Sequence, residues 1–413
     1  MNMTKYALVA MLLVSAAAVA QTPSDTERPE FLERAESQQE NAITITVAVP
    51  SAAETKALFG APLYKRQIQP VWFEIANDQE SPITFLPLGV DPAYFTPMES
   101  AFLGAGSAKK AKPTMRKFFF DRKIDMHVLP GENISGFLFT QLEEGTKSFN
   151  VDVYTDDGAM VNFTFFVPVP GLRLDHHDVD WDNLYAADQI VDLGRDELIE
   201  ALQNMPCCTT DKNSKGTGDP LNLVVIGTED DVYYAFIRAG WDETEAISRS
   251  SLMKMGGAFV TGSEYKSSPV SGLYVFGRPQ DAAFQKIRDN INERNHLRLW
   301  MAPIRFEGVP VWIGQISRDI GVRLTTKTIT THKVDPDVDE TREFLVENLA
   351  YSQALAKLGY VDGVGAAPIN EPRGNLTGDP YFTDGHRVVL WVSSQPKDFG
   401  EIEDLDWGAE PVR

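Results

Sequence analysis

The segment 296–301 carries the side chains best suited to chemistry. In a β-strand successive side chains point to opposite faces, which places His296, Arg298 and Trp300 on one face and apolar residues on the other. A guanidinium binds carboxylate or phosphate through a planar fork. This face therefore suits an anion or a polar ring as ligand. The alternative is an ordinary sheet face on which Arg298 pairs with a structural carboxylate.

A second polar cluster follows at 330–342, where a threonine-rich strand ends and a turn leads into a helix. A histidine beside a carboxylate is an oriented base or a metal ligand. We therefore predict His332, Asp335 and His296 as catalytic residues. The predicted substrate-binding residues are Arg298, Trp300, Asp319 and Arg342. The acids that open the helix also fit a capping box, which is a structural explanation for them. We assign no residue to a metal, and the cofactor is unknown.

The composition is that of a folded domain protein with an acidic surface. The chain has 413 residues, of which 43% are hydrophobic, and this excludes a disordered or collagen-like chain. It carries 38 basic and 59 acidic residues, a net charge of -21. A protein that coats nucleic acid needs a basic face. We therefore expect no nucleic-acid partner.

The first twenty residues predict an export signal. Lys5 is followed by an apolar stretch and then by Ala18-Val19-Ala20, a small-x-small cleavage site. Cleavage near Ala20 predicts a periplasmic or secreted protein, and an uncleaved anchor is the alternative. No later segment is long and apolar enough to span a bilayer, so we expect no transmembrane segment in the mature chain.

The remaining chain predicts an α+β protein with two folded parts. Short runs rich in β-branched residues, separated by turn residues, predict a β-sandwich-like N-terminal domain. Mixed strand and helix patterns then predict an α+β domain with a largely antiparallel sheet, in which 340–358 is the clearest helix, ended by Gly359. The predicted division is signal peptide 1–20, flexible lead-in 21–40, sandwich-like domain 41–171, acidic linker 172–220 with a short helix and a Cys-Cys loop, α+β domain 221–396 and acidic tail 397–413.

Three further features leave alternatives open. Cys207 and Cys208 are adjacent, so they are apolar fillers, a disulfide between neighbours, or thiols with reactive or metal-binding chemistry. The string 175–182 is either a solvated linker or a weak metal loop. The run 107–117 holds five basic residues and is either a solvated loop or a contact for an anionic headgroup or a partner's acidic face.

The C-terminal half resembles the LssY C-terminal domain family. The segments that carry the resemblance run in order from about 205 to 394 and include PLNLVVIGTEDD, NHLRLW, VPVWIGQISRDIGV, THKVDPDVDETRE and GDPYFTDGHRVVLW. In that family the domain follows membrane-embedded modules of the DedA and phosphatidic-acid-phosphatase kinds, and the resemblance implies no established activity. This chain departs from the pattern, because it has an export signal and a β-rich partner domain instead.

These observations predict an exported cell-envelope protein, with two functional hypotheses. The first is a binding or accessory module, whose partner is an envelope protein or an anionic lipid headgroup. The second is a hydrolase for a phosphorylated or anionic envelope substrate, built on His296, Arg298 and the 330–342 cluster.

Overall fold

The computed structural model describes residues 29–106, 112–172, 179–244, 272–287, 294–323 and 331–409. The predicted signal peptide 1–20, residues 175–178 of the string 175–182 and residues 107–111 of the basic run lie outside them. The fold is mixed α and β, with an N-terminal sandwich followed by an α+β domain whose sheet is largely antiparallel, as the sequence predicts. Within the described ranges, no helix has both the length and the apolar character needed to cross a membrane.

The N-terminal domain is built from two antiparallel sheets that face each other. Its strands are β1 Glu36–Glu40, β2 Ile43–Ala48, β3 Ile68–Asn77, β4 Ile83–Leu86, β5 His127–Val128, β6 Asn133–Gln141, β7 Gly145–Thr155 and β8 Met160–Val169. The sheet orders are β1-β2-β3-β6 and β5-β4-β7-β8. Every second side chain of the long strands points inward and forms a buried core of valine, isoleucine and phenylalanine. Strand β1 lies within the segment 21–40 that we predicted as a flexible lead-in.

Short helices cover the outer face of the first sheet. The helices of this domain are α1 Ala52–Phe59, α2 Pro87–Val90, α3 Pro97–Ala105 and α4 Pro113–Phe120. Helix α2 is the exception, because it packs on β7 of the second sheet. Capping boxes start α1 at Ser51 and α3 at Thr96. The Phe59 ring lies 5.0 Å from that of Phe119 and 5.4 Å from that of Phe139. An aromatic cluster therefore holds the helices on the sheet.

The C-terminal domain is organised around one large sheet. Its strands are β9 Val191–Leu193, β10 Cys208–Thr210, β11 Thr217–Pro220, β12 Leu223–Ile226, β13 Asp242–Glu243, β14 Tyr274–Val275, β15 Arg278–Pro279, β16 Ala282–Ile287, β17 Arg294–Phe306, β18 Val309–Arg323, β19 Thr331–Val334, β20 Leu355–Asp362, β21 Arg373–Gly374, β22 Pro380–Tyr381, β23 His386–Val392 and β24 Glu403–Leu405. The order in the large sheet is β13-β16-β17-β18-β12-β23-β20-β24, with β19 beside β18 and β9 beside β17. Strands β10, β11, β14 and β15 form a smaller sheet, and β21 pairs with β22.

Helices cover both faces of this sheet. They are α5 Arg195–Asn204, α6 Glu229–Arg238 and α7 Val338–Tyr351. Apolar residues of α6 and α7 pack with one face of the sheet, and those of α5 pack with the other. The sheet is therefore the middle layer of the domain.

The predicted helix over 340–358 is wrong in its C-terminal end. Helix α7 stops at Tyr351, and the chain continues as β20. Gly359 does not end a helix but lies within β20, opposite Val389. A Cβ atom at Gly359 would lie 2.7 Å from the Leu405 carbonyl oxygen, so glycine lets β24 approach. Strand β24 falls within 397–413, which we predicted as an acidic tail.

The two domains meet at a buried carboxylate. The Thr146 backbone N–H of β7 donates a hydrogen bond of 2.8 Å to Glu243 Oε2 of β13. Nearby, the rings of Phe166 and Tyr234 stack with centroids 4.3 Å apart. Glu243 is 6% exposed, and this burial raises the pKa of its carboxyl to about 7. The contact between the domains therefore contains a group that titrates near neutral pH.

Replacing Glu243 should change how the stability of the protein depends on pH. Because the folded-state pKa is about 7 and the ordinary value is 4.5, the folded state keeps a proton that the unfolded state releases. The stabilisation is complete below the ordinary value and is lost as the pH rises through 7. Relative to Glu243→Gln, the wild-type free energy of unfolding should fall by on the order of 3 kcal/mol over this range.

Urea unfolding of both proteins at several pH values measures this difference. The matched control is Glu144→Gln, because Glu144 is exposed and lies on the same side of the contact. Its profile should run parallel to that of the wild type. Parallel profiles for Glu243→Gln and the wild type would contradict the prediction.

Candidate functional site

The long antiparallel pair β17 and β18 places polar side chains next to one another. His296 lies opposite Ser317, and Arg298 lies opposite Gln315. Since side chains alternate along each strand, one face of this pair carries only polar residues at its end. We call these residues the polar face: Arg294, His296, Arg298, Gln315, Ser317 and Asp319. All six are buried.

A chain of contacts links a serine, a histidine and a carboxylate on the polar face. His296 Nε2 lies 3.0 Å from Ser317 Oγ. On the other side of the ring, His296 Nδ1 lies 3.6 Å from Asp319 Oδ2. Gln315 Nε2 donates a hydrogen bond of 2.8 Å to Ser317 Oγ. The imidazole therefore lies between a hydroxyl and a carboxylate.

Two arginines extend this network in opposite directions. Arg294 Nε donates to Asp319 Oδ2 at 3.2 Å, and its Nη1 donates to Gln285 Oε1 at 2.6 Å. Arg298 Nη1 donates to Gln315 Oε1 at 3.0 Å. Charge on this buried surface is thus compensated by neighbouring side chains, as burial of ionised groups requires.

Burial sets the electrostatics of the carboxylates. Burial raises the pKa of Asp319 to about 6, although the positive charges of Arg294 and Arg298 act to lower it. Burial also raises the pKa of Asp219 on β11, whose Oδ1 accepts a hydrogen bond of 2.8 Å from Asn375 Nδ2. Arg298 lowers and Asp379 raises the pKa of Asp219, so charges from several segments act on one another here.

Trp300 follows the predicted alternation but lies in the apolar core. It shares a face with His296 and Arg298, is fully buried, and packs among apolar residues that include Leu202 of α5. Its Nε1 donates a hydrogen bond of 3.3 Å to the Arg278 carbonyl oxygen. The indole therefore packs under α5 and does not join the polar contacts of the histidine and the arginine.

The predicted catalytic pair at 330–342 is only partly described. His332 lies in β19 opposite Val322 of β18, and its side chain falls outside the described residues. Asp335 closes the turn before α7: its backbone N–H donates to Arg318 O at 2.8 Å, and its Oδ1 accepts from the Asp337 N–H at 3.1 Å. The carboxylate of Asp335 thus has a structural contact that fixes this turn.

Arg342 lies in a separate ion cluster on α7. Its Nη1 and Nη2 each donate 2.9 Å hydrogen bonds to Asp384, one to each carboxylate oxygen. Asp339 and the His386 carbonyl oxygen accept further bonds of 3.1 Å from Nη1. Burial acts to lower the pKa of this guanidinium, but its hydrogen bonds to Asp384 and the neighbouring negative charges raise the pKa above the ordinary value, so Arg342 stays charged. The cluster joins α7 to the loop before β23.

The structure thus brings together His296, Arg298 and Asp319 from the predicted set. It adds Ser317 and Gln315, which we did not predict as functional residues. The sequence did hold a signal for them, because period-two spacing places Gln315, Ser317 and Asp319 on one face of a strand. Which residues of the neighbouring strand they meet depends on the register, and single-strand periodicity does not give it.

The adjacent cysteines form a disulfide, one of the three alternatives left open by the sequence. Cys208 lies at the start of β10, and its Sγ is 3.7 Å from the Tyr381 hydroxyl oxygen. In the described part of the chain, no group of three or more histidine, cysteine or acidic side chains is arranged to hold a metal.

The described part of the basic run lies on the outside of the N-terminal domain. Lys112 precedes α4, and Arg116 and Lys117 are exposed on that helix. Helix α3 packs against α4, and Met98 and Phe102 of α3 are 43% and 57% exposed. An exposed surface with both basic and large apolar side chains is therefore present in an acidic protein.

Removing the Arg342 side chain should destabilise the protein. Arg342→Met leaves the carboxylates of Asp339 and Asp384 without their buried cation, and we expect a loss of roughly 3–5 kcal/mol in the free energy of unfolding. Urea denaturation measures it. Arg305→Met, at an exposed position of β17, is the control and should change stability little. A loss below about 1 kcal/mol for Arg342→Met would show that the cluster is not structural.

Comparison with known proteins supports the family resemblance. Residues 200–386 match the family model described as LssY C-terminus, and the N-terminal half matches no family model. No curated protein matches the chain. The predicted resemblance is therefore confirmed over residues 200–386, the part of the chain that holds the polar face and the Arg342 cluster, and the chain is similar to the LssY C-terminus family there.

Proposed function

We propose that this protein is an exported binding module of the cell envelope that lies against an anionic lipid surface. The observation that carries the proposal is the basic surface: Lys65, Arg66, Lys112, Arg116, Lys117 and Arg122, next to the exposed apolar residues Met98, Phe102 and Phe120. The chain as a whole has a net charge of -21, so this concentration of positive charge is local.

The contacts of α3 and α4 bring these charges to one corner of the domain. A Cβ atom at Gly106 would lie 3.3 Å from Arg66 Nη2, which places that guanidinium at the end of α3. Gly104 of α3 lies against Leu63 and the methyl group of Met115 in α4. The segment 63–66 and the two helices therefore form one packed unit that presents its basic residues together.

Acidic neighbours neutralise part of this charge. Asp121 pairs with Lys117 at 2.6 Å, and Asp125 pairs with Lys123, which lies beside the basic surface and is not counted in it. The Arg122 guanidinium lies 3.6 Å from the centroid of the Phe118 ring, which keeps its charge at the surface. A net positive surface remains.

The apolar residues favour a lipid surface over a purely ionic contact. Met98 and Phe102 are four residues apart on α3 and share one exposed side of the helix. Phe120, 50% exposed, ends α4. Exposed aromatic and methionine side chains beside lysine and arginine are typical of segments that bind in the membrane interface. Each basic residue near an anionic bilayer contributes about 1 kcal/mol.

Charge removal should weaken binding to anionic vesicles. The purified protein is mixed with vesicles of phosphatidylcholine alone or with phosphatidylglycerol added, and the bound fraction is measured by flotation. Wild-type protein should bind the anionic vesicles and lose binding in high salt. Lys112→Gln with Arg116→Gln removes two charges, or about 2 kcal/mol, so affinity should fall about thirtyfold.

The matched control is Lys212→Gln with Lys215→Gln, which removes two exposed charges from the C-terminal domain. It should bind as the wild type does. Mass spectrometry identifies the N-terminal residue of the exported protein. This check is needed because an uncleaved apolar signal segment would itself bind vesicles, and its binding would be wrongly assigned to the basic surface. Equal binding to neutral and anionic vesicles, or no loss in the 112/116 variant, would contradict the proposal.

A further inference from the structure

The polar face contains an arrangement that binding to a lipid surface does not use. A hydroxyl, an imidazole and a carboxylate follow one another across β17 and β18, with distances of 3.0 Å and 3.6 Å between their polar atoms. We propose that Ser317, His296 and Asp319 form a hydrolytic site for small carboxylic esters, with Ser317 as the nucleophile. The site lies in the C-terminal domain, and the inference is independent of the basic surface.

Ser317 Oγ lies between two side-chain nitrogen atoms, Gln315 Nε2 and His296 Nε2. Gln315 Nε2 has no lone pair to offer, so at 2.8 Å it donates to Ser317 Oγ. Ser317 Oγ and His296 Nε2 are 3.0 Å apart, and the tautomer of the ring decides which of the two atoms donates. We infer the tautomer in which Nε2 accepts from the hydroxyl and Nδ1 carries the ring hydrogen, because the carboxylate of Asp319 lies on the Nδ1 side of the ring. This is the tautomer in which histidine acts as a general base on a serine.

Asp319 is placed to hold that tautomer. Its Oδ2 lies 3.6 Å from His296 Nδ1, which is within ion-pair distance but longer than a hydrogen bond. Catalytic hydrogen bonds that are long in a free enzyme tighten when substrate binds. Arg294 Nε donates to the same oxygen at 3.2 Å and fixes the position of the carboxylate. Ser317 and Asp319 are two residues apart on β18, so a rigid strand sets their spacing. Asp319 is thus a positioning residue.

The contacts support a two-step ester hydrolysis. Ser317 Oγ forms a bond to the ester carbonyl carbon while its proton passes to His296 Nε2. The carbon–oxygen bond to the leaving alcohol breaks, and His296 returns the proton to the alcohol oxygen. A water molecule then gives a proton to His296 and attacks the acyl carbon. Ser317 recovers its proton as the carboxylic acid leaves.

Burial limits the size of the acyl group. Ser317 is 1% and His296 is 7% exposed, so any ester reaches the hydroxyl only when the residues that cover it move, and a bulky acyl chain needs a larger movement than a short one. Arg298, linked to Ser317 through Gln315, contributes positive charge beside the site. We therefore expect short acyl groups such as acetyl to react faster than long ones.

Two probes test the site in the intact protein. A fluorophosphonate that reacts with activated serines is followed by mass spectrometry of the labelled peptides, and p-nitrophenyl acetate turnover is followed by absorbance. Ser317 should carry the label, and Ser317→Ala should lower turnover at least about a hundredfold. Ser352→Ala is the matched control: Ser352 Oγ bonds to the Leu349 carbonyl oxygen at the end of α7, away from the polar face.

The role of Asp319 needs a readout that loss of folding would not imitate. Asp319→Asn keeps the shape of the side chain, so thermal unfolding and labelling are measured on the same sample. A folded Asp319→Asn protein should show at least about tenfold slower turnover, with the pH profile of the rate shifted. Absence of label on Ser317 in the wild type would overturn the proposal, as would equal turnover in Ser317→Ala and Ser352→Ala. We expect Ser317→Ala to bind vesicles as the wild type does, whether or not Ser317 is the nucleophile. Failure of the ester-hydrolysis proposal is therefore distinguishable from failure of the proposed lipid binding.

Discussion

The buried carboxylate of Asp319 is the constraint on which the candidate site depends. A carboxylate that is 1% exposed is stable only when neighbouring groups compensate its charge or hold it with hydrogen bonds. Arg294 and His296 supply these contacts from β17, while Asp319 itself belongs to β18. The antiparallel register of the two strands therefore positions the contacts of Asp319 with Arg294 and His296, and the contact of His296 with Ser317. If one of the two strands slipped by one residue, its three polar side chains would turn to the face that packs against α6 and α7, into the apolar cluster.

The same sheet gives the site its rigidity. Apolar residues on the opposite face pack with α6 and α7, and apolar residues beyond Trp300 pack with α5. The polar face is thus one end of a sheet surface, and the other end of the same surface, at Trp300, packs in the apolar core. The N-terminal sandwich contacts this domain through Thr146 and Glu243 and carries the basic surface on its helices. The two proposals together place the proposed ester-cleaving site in the domain that adjoins the proposed lipid-binding domain. Neither proposed activity requires the other, because the residues that carry them do not overlap.

Periodicity predicted the parts of the fold that depend on one strand or one helix at a time. It predicted the face shared by His296, Arg298 and Trp300, and it predicted an α+β protein with a sandwich-like first half. It did not predict which neighbouring residues cover each position of that face. The indole of Trp300 packs in the apolar core, whereas the imidazole of His296 lies among polar groups. Ser317 was not predicted as a functional residue, because its contact with His296 depends on the register between two strands. The end of α7 was misplaced, since Gly359 meets β24, which lies more than forty residues further along the chain. Arg342 and Asp384 are likewise brought together by the fold and not by sequence spacing.

The tautomer of His296 tests the central claim most directly. The chain has six histidines, so a nitrogen-15 spectrum of histidine-labelled protein can be assigned by comparison with His296→Gln. At a pH where the ring is neutral, we predict that Nδ1 of His296 carries the hydrogen and that Nε2 is unprotonated and accepts from Ser317. Ser317→Ala should then shift the Nε2 resonance, and Asp319→Asn should shift Nδ1. A protonated Nε2 that donates to Ser317 would contradict the claim, because the imidazole could not take a proton from that hydroxyl.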